Sequence, residues 1–144
     1  MNSIHRIFRN GVAIERVDLF RATINEAEEI KDNLLDDIDF DKVIVDLSDC
    51  DYIDSTFFGA LVFANRILKH QGCAMVLVIS STFLSRSFIY REISSVFKVY
   101  HSISDALTAL NTNKGKEHFV KSLKIESRKE PVKIVQSQIM LIPE

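Results

Sequence analysis

The chain has 144 residues, 47% of them hydrophobic and 26% charged, a balance that suits a globular protein with its own core. No apolar run reaches the ~20 residues of a membrane span, and the opening residues Met1 to Arg9 lack the apolar stretch of a secretory signal, so a cytoplasmic location is expected. The net charge of −2 is unevenly spread: residues 1–111 hold 11 Lys and Arg against 16 Asp and Glu (−5), residues 112–144 hold 7 against 4 (+3), and direct DNA binding by the acidic main body is not expected.

Ile4 to Phe8 and Val12 to Val17 read as two strands. Asn10-Gly11 between them is a hairpin signal, because both residues accept positive φ. Thr23 and Glu26 have the spacing of a capping box, and Ile24, Ala27, Ile30, Leu34 and Ile38 recur at helical spacing behind it. Val43 to Leu47 is a short buried strand. An acidic loop follows, and Asp54-Ser55-Thr56 opens a long helix that stops at Gln71-Gly72. Ser55 is the expected N-cap. The helix is apolar on most sides as far as Asn65, which predicts that it is largely buried. Ala74 to Ile79 is the most apolar strand and is expected at the centre of the sheet. A third helix is predicted over 83–95, a short edge strand over 97–100, and a last helix from about Ser102 to Leu110.

This order predicts an α/β domain. After an initial β-hairpin, parallel strands joined by right-handed crossovers build a mixed β-sheet packed against about four helices. The domain spans residues 1–111. Residues 112–144 form a basic C-terminal extension, expected to be partly flexible or to add a strand at Val132 to Val135. Its apolar end, Ile139 to Ile142, is an alternative docking segment for a partner or a second copy. Cys50 and Cys73 are expected as reduced thiols.

Two hydroxyls and a carboxylate, Ser55, Thr56 and Asp54, thus stand where helix N–H groups point outward. Adding or removing a phosphate there would change the surface strongly. A hydrolase built on Asp54, Ser55 and His70 is excluded, since His70 lies a helix length away, on the order of 20 Å. His5, His101 and His118 show no metal-ligand spacing with the cysteines, and neither a Walker A sequence nor a Gly-x-Gly-x-x-Gly fingerprint is present. No enzymatic activity, cofactor or metal is expected; the pattern suits a phosphorylation-controlled binding module.

Three stretches carry a resemblance to a known family. They are the strand-loop-helix from Val43 to Leu61, the strand Gly72-Cys-Ala-Met-Val-Leu-Val-Ile79, and the closing strand and helix from Phe97 to Leu110. Together they resemble a STAS domain, the fold of bacterial anti-sigma factor antagonists, over roughly residues 5–111. The resemblance implies a phosphorylatable hydroxyl at Thr56, with Ser55 as the alternative. It implies binding to an anti-sigma factor or Ser/Thr kinase-type switch protein when Thr56 is unphosphorylated. The partner's own ATP would phosphorylate the chain and release it, and a phosphatase would restore binding. Asp18, in the loop before the first helix, and Asp54, Ser55, Thr56, Phe57 and Phe58 are the implied partner-binding residues. Phe57 stands where many members have glycine, so it either narrows the approach to Thr56 or joins the partner surface; Gly59 matches a later family glycine. A constitutive scaffold subunit of a multiprotein complex and a nucleotide- or lipid-sensing domain are the alternative functions, and a homodimer is possible.

Overall fold

The computed structural model describes residues 3–112. The basic extension, including His118, Val132 to Val135 and Ile139 to Ile142, lies outside the described residues.

The elements run β1 (Ile4–Arg9), β2 (Val12–Val17), β3 (Arg21–Ala22), α1 (Ile24–Asp36), β4 (Lys42–Asp46), β5 (Tyr52–Ile53), α2 (Ser55–His70), β6 (Ala74–Val78), α3 (Thr82–Ser85), α4 (Phe88–Val96), β7 (Val99–Tyr100) and α5 (Ile103–Thr112). The main sheet has the order β1-β2-β4-β6-β7. The β1–β2 pair is antiparallel and every later pair parallel, so the sheet is mixed, as expected. Asn10 and Gly11 form the tight turn with φ of 53° and 79°, the positive values that a two-residue hairpin needs.

Both faces of the sheet are covered. Val43 and Val45 of β4 pack with Ile30 and Leu34 of α1 and with Leu61 and Leu68 of α2. Ile44, one residue out of phase, packs with Val76, Val78 and the α5 residues Ala106 and Leu107 on the opposite face. Double-sided burial explains why β4 and β6 read as continuous apolar runs rather than as alternating ones.

Three expectations are corrected. β4, not β6, takes the middle of the sheet; β6 lies beside it, inside the edge formed by β7. The third helix is two helices, α3 and α4, which makes five in all among the described residues. Ser85 and Ser87 turn their hydroxyls back to the carbonyls of Ser81 (2.7 Å) and Leu84 (2.6 Å), bonds that compete with a continuous helical ladder. In α2, only the face carrying Phe57, Leu61, Ala64 and Leu68 is buried, while Phe63 is half-exposed. The small parallel pair β3–β5 was not foreseen, since two residues per strand leave no periodicity to detect.

One buried polar cluster ties the hairpin to the end of α1. Arg6 Nε donates to Glu15 Oε2 at 2.7 Å and stands 3.1 Å from Asp37 Oδ1. Both carboxyl side chains are almost wholly excluded from solvent. Neither Asp37 oxygen has a well-aligned hydrogen bond among the described residues.

Candidate functional site

The loops after β2 and β4 leave the same end of the sheet, because those strands are parallel. A short ladder joins them. Asp51 N and Tyr52 N donate to Phe20 O at 2.9 and 3.3 Å, Arg21 pairs with Tyr52, Ala22 pairs with Ile53, and Asp54 N donates to Ala22 O at 3.2 Å. The acidic loop is braced at its start, where the backbone N–H and hydroxyl of Ser48 both donate to Asp46 Oδ1, and further on by an ion pair of 2.9 Å between Arg16 and Asp49.

The ladder delivers Asp54 to the point where two helices begin. Its backbone is extended (φ −97°, ψ 174°), and its Oδ1 accepts from Phe57 N–H at 2.8 Å. Asp54 is therefore the N-cap of α2, which corrects the expectation for Ser55; Ser55 and Thr56 are the first two residues of the helix. The second carboxylate oxygen, Oδ2, accepts from Ile24 N–H at 3.0 Å. Ile24 is the first residue of α1, whose own cap is the expected box of Thr23 and Glu26. One negative charge thus faces the positive ends of two helices.

Around Asp54 the surface mixes hydroxyls with exposed apolar side chains. Ser55 and Thr56 are both exposed. Phe20 and Ile24 are about two-thirds exposed, at 66% and 63%, and Tyr52 is 40% exposed with the Arg21 guanidinium 4.2 Å above its ring. These four residues were absent from the sequence-based site. Phe20 and Tyr52, aromatic residues within acidic loops, were the available signal.

The other expected residues separate. Asp18 is exposed in the loop after β2, 4.0 Å from His5, and its backbone N–H donates to Ser3 O. Phe57 has no exposed surface. Its side chain belongs to the core, so it neither lines a partner surface nor obstructs Thr56 from outside. Phe58 is half-buried and meets Phe97 edge-on at 6.2 Å. Cys50 and Cys73 are free thiols inside the domain. Burial first, and then the charges of Asp49, Asp46, Asp51 and Glu26, push the Cys50 thiol up to about 12, so it is neutral at ordinary pH. Among the described residues no group of His, Cys, Asp or Glu is arranged to hold a metal ion, and no helix is long and apolar enough to cross a membrane.

Solved structures share this architecture. A STAS domain protein of Planctomyces limnophilus, described as an anti-sigma-factor antagonist, is 22% identical and superposes with a TM-score of 0.65 over 76% of this chain and 98% of its own. An anti-sigma factor antagonist from Mycobacterium paratuberculosis is 17% identical, with a TM-score of 0.65 over 75% and 92%. The anti-sigma factor antagonist SpoIIAA in its unphosphorylated form is 14% identical, with a TM-score of 0.58 over 78% and 98%. The phosphorylated form of SpoIIAA, a Bacillus cell fate determinant, matches with a TM-score of 0.55. At these identities the likeness is one of fold. None of the curated protein sequences compared with the chain matches it. The family model for the STAS domain matches residues 15–106, a span that runs from β2 into α5 and takes in every element around Asp54, and by that match the chain belongs to the STAS domain family.

Proposed function

We propose that this chain is a phosphorylation-controlled protein-binding regulator of the anti-sigma factor antagonist kind. Unphosphorylated, it binds an anti-sigma factor or Ser/Thr kinase-type switch protein through Asp18, Asp54, Ser55, Thr56, the exposed edge of Phe58 and the outer face of α2. Phosphorylation of Thr56, or alternatively of Ser55, releases the partner, and a phosphatase resets the chain. In this reading the chain is a cytoplasmic regulator and not an enzyme; the ATP belongs to the partner.

The observation that carries the reading is the exposed stripe of α2. Thr56, Gly59 and Phe63 are spaced three and four apart and are all exposed. A Cβ built on Gly59 would have open space around it, so the fold itself does not require a glycine there. A bare backbone next to an exposed hydroxyl, flanked by Phe20, Ile24 and Tyr52, suits close approach by another protein. A phosphate on Thr56 would bring roughly −1.5 to −2 charges beside Asp54, whose carboxylate already engages both helix starts. The added charge would have to be desolvated in any such interface, which favours release.

The experiment is to purify the protein from its native cells, in growth and in stress, and to map phosphosites by mass spectrometry with full coverage of residues 43–66. Alongside it, Thr56→Asp is tested for partner retention. Condition-dependent phosphate on Thr56 and loss of the partner by a folded Thr56→Asp chain are expected. No phosphate in any condition, with normal binding by Thr56→Asp, would replace the switch with a constitutive scaffold.

A further inference from the structure

The end of α2 away from Thr56 borders a cleft of about 280 Å³ at the margin of the main sheet. The cleft exists because β7 is short. β6 starts at Ala74, but only Leu77 and Val78 have partners in β7, at Val99 and Tyr100. The first three residues of β6 therefore project past the start of β7, and all three line the cleft. Met75 belongs to the packing on the α1–α2 side of the sheet and Val76 to that on the α5 side, so the cleft reaches around the sheet margin between both layers. Val96 and Leu110 add to its apolar walls.

Among the described residues, four polar side chains also line it: Asn65, Lys69, Lys98 and Tyr100. Asn65 and Lys69 are one turn apart on the same face of α2. Lys98 and Tyr100 are two residues apart in the extended segment that enters β7, and so project to one side. Among the described residues none of the four side chains has a hydrogen bond or ion pair. The main body of the chain is acidic, yet among the described residues no Asp or Glu lines this cleft. An apolar floor under two ammonium groups that have no counter-charge among the described residues, with an amide and a phenol beside them, matches a ligand that is apolar at one end and negative at the other.

We propose that this cleft binds a small organic anion, a carboxylate or phosphate monoester with a short apolar body. The headgroup sits between Lys69 and Lys98, and the body lies over Met75 and Val76. The volume is at the small end of ligand pockets, which run from roughly 300 to 1,000 Å³, so a single ring or a short alkyl chain fits better than a nucleoside triphosphate. An added peptide strand fits poorly, because the chain from Val96 to Lys98 already enters β7 at that point. The site is separate from the surface around Thr56, and its failure would leave the regulatory reading untouched.

The test is a titration of the full-length, nitrogen-15-labelled chain with hexanoate, phenyl phosphate, inorganic phosphate and neutral hexanol, followed by amide chemical shifts. Saturable shifts confined to residues 74–76, 96–98 and 109–110 are expected with hexanoate, phenyl phosphate or both, and whichever binds identifies the headgroup. Hexanol and inorganic phosphate should each bind about tenfold more weakly, since each supplies half of the recognition. The Lys69→Gln/Lys98→Gln variant should keep its spectrum elsewhere and lose about tenfold or more in affinity; Lys98→Gln alone serves if the double variant does not fold. The proposal is overturned by the absence of saturable shifts with both organic anions in the millimolar range, by hexanol binding as well as hexanoate, or by unchanged affinity in a folded lysine variant.

Discussion

The Asp54 carboxylate accepts the Ile24 backbone N–H at 3.0 Å across 30 positions of sequence, while its other oxygen caps α2 through Phe57 N–H. Two donors at two helix starts therefore depend on one side chain. Asp54→Ala should lower stability by about 1–2 kcal/mol, because it removes a cap and leaves a second helix start without its acceptor. Ser55→Ala should stay within about 0.5 kcal/mol of wild type, since Ser55 is exposed and is not the cap. Urea unfolding of the two variants decides between them; equal losses would sink the assignment of the cap to Asp54.

Gly59 separates binding from folding. It is exposed in the second turn of α2, and a methyl group there would meet nothing within 4 Å. Gly59→Ala should raise stability by about 0.5–1 kcal/mol through helix propensity. If the α2 stripe is the partner surface, the same variant should bind the partner more weakly despite its higher melting temperature. Thermal denaturation and a pull-down from native cells read the two effects separately, and unchanged binding would remove the stripe from the interface.

Phe57 should behave as a core residue. Its side chain is fully buried in the packing between α2 and the sheet. Phe57→Ala should cost about 3–5 kcal/mol, a large part of the ~5–15 kcal/mol that holds a domain folded. Circular dichroism with urea unfolding would show it. A Phe57→Ala chain as stable as wild type would contradict the burial.

The buried carboxyl of Asp37 gives the domain a pH dependence of definite sign. Its pKa is pushed up from 3.8 to about 9, first by burial, then by the neighbouring Glu15 carboxyl, with Arg6 opposing. Between those values the folded chain holds a proton that the unfolded chain has released. On this group's account stability is therefore greatest at low pH and falls as pH rises from about 4 to about 9. Asp37→Asn removes the titration, and Arg6 keeps its 2.7 Å bond to Glu15. The variant should exceed wild type at pH 8 by on the order of 1 kcal/mol, with the difference shrinking toward pH 5. Urea unfolding at both values checks this, and a gap that widened at low pH would reverse the sign and refute it.

Much of the fold was legible because the relevant information is local. The Asn10-Gly11 turn, the Thr23–Glu26 box and the alternation of apolar strands with helical periods depend on residues within a few positions of one another. The region from Asp54 to Thr56 stood out for the same reason, as polar residues between an acidic loop and an apolar helix. Misreadings arose where two local choices had similar energies. Asp and Ser cap helices about equally well, and the four residues after Arg86 could have continued α3.

What the sequence determined by itself is the succession of elements, the parallel sheet that succession demands, and the helix start that carries Thr56. The tertiary structure decided which acid caps that start, which face of α2 turns inward, and which charges are buried. The Ile24 N–H bonds to Asp54 from 30 positions away, and packing against the sheet buries Phe57, Leu61, Ala64 and Leu68 while leaving Thr56 and Gly59 outside. Arg6, Glu15 and Asp37 come from three separate segments and meet only when the hairpin closes on the end of α1. Hydrogen bonds and desolvation at such points join residues distant in sequence, so their energies exist only after the chain has folded.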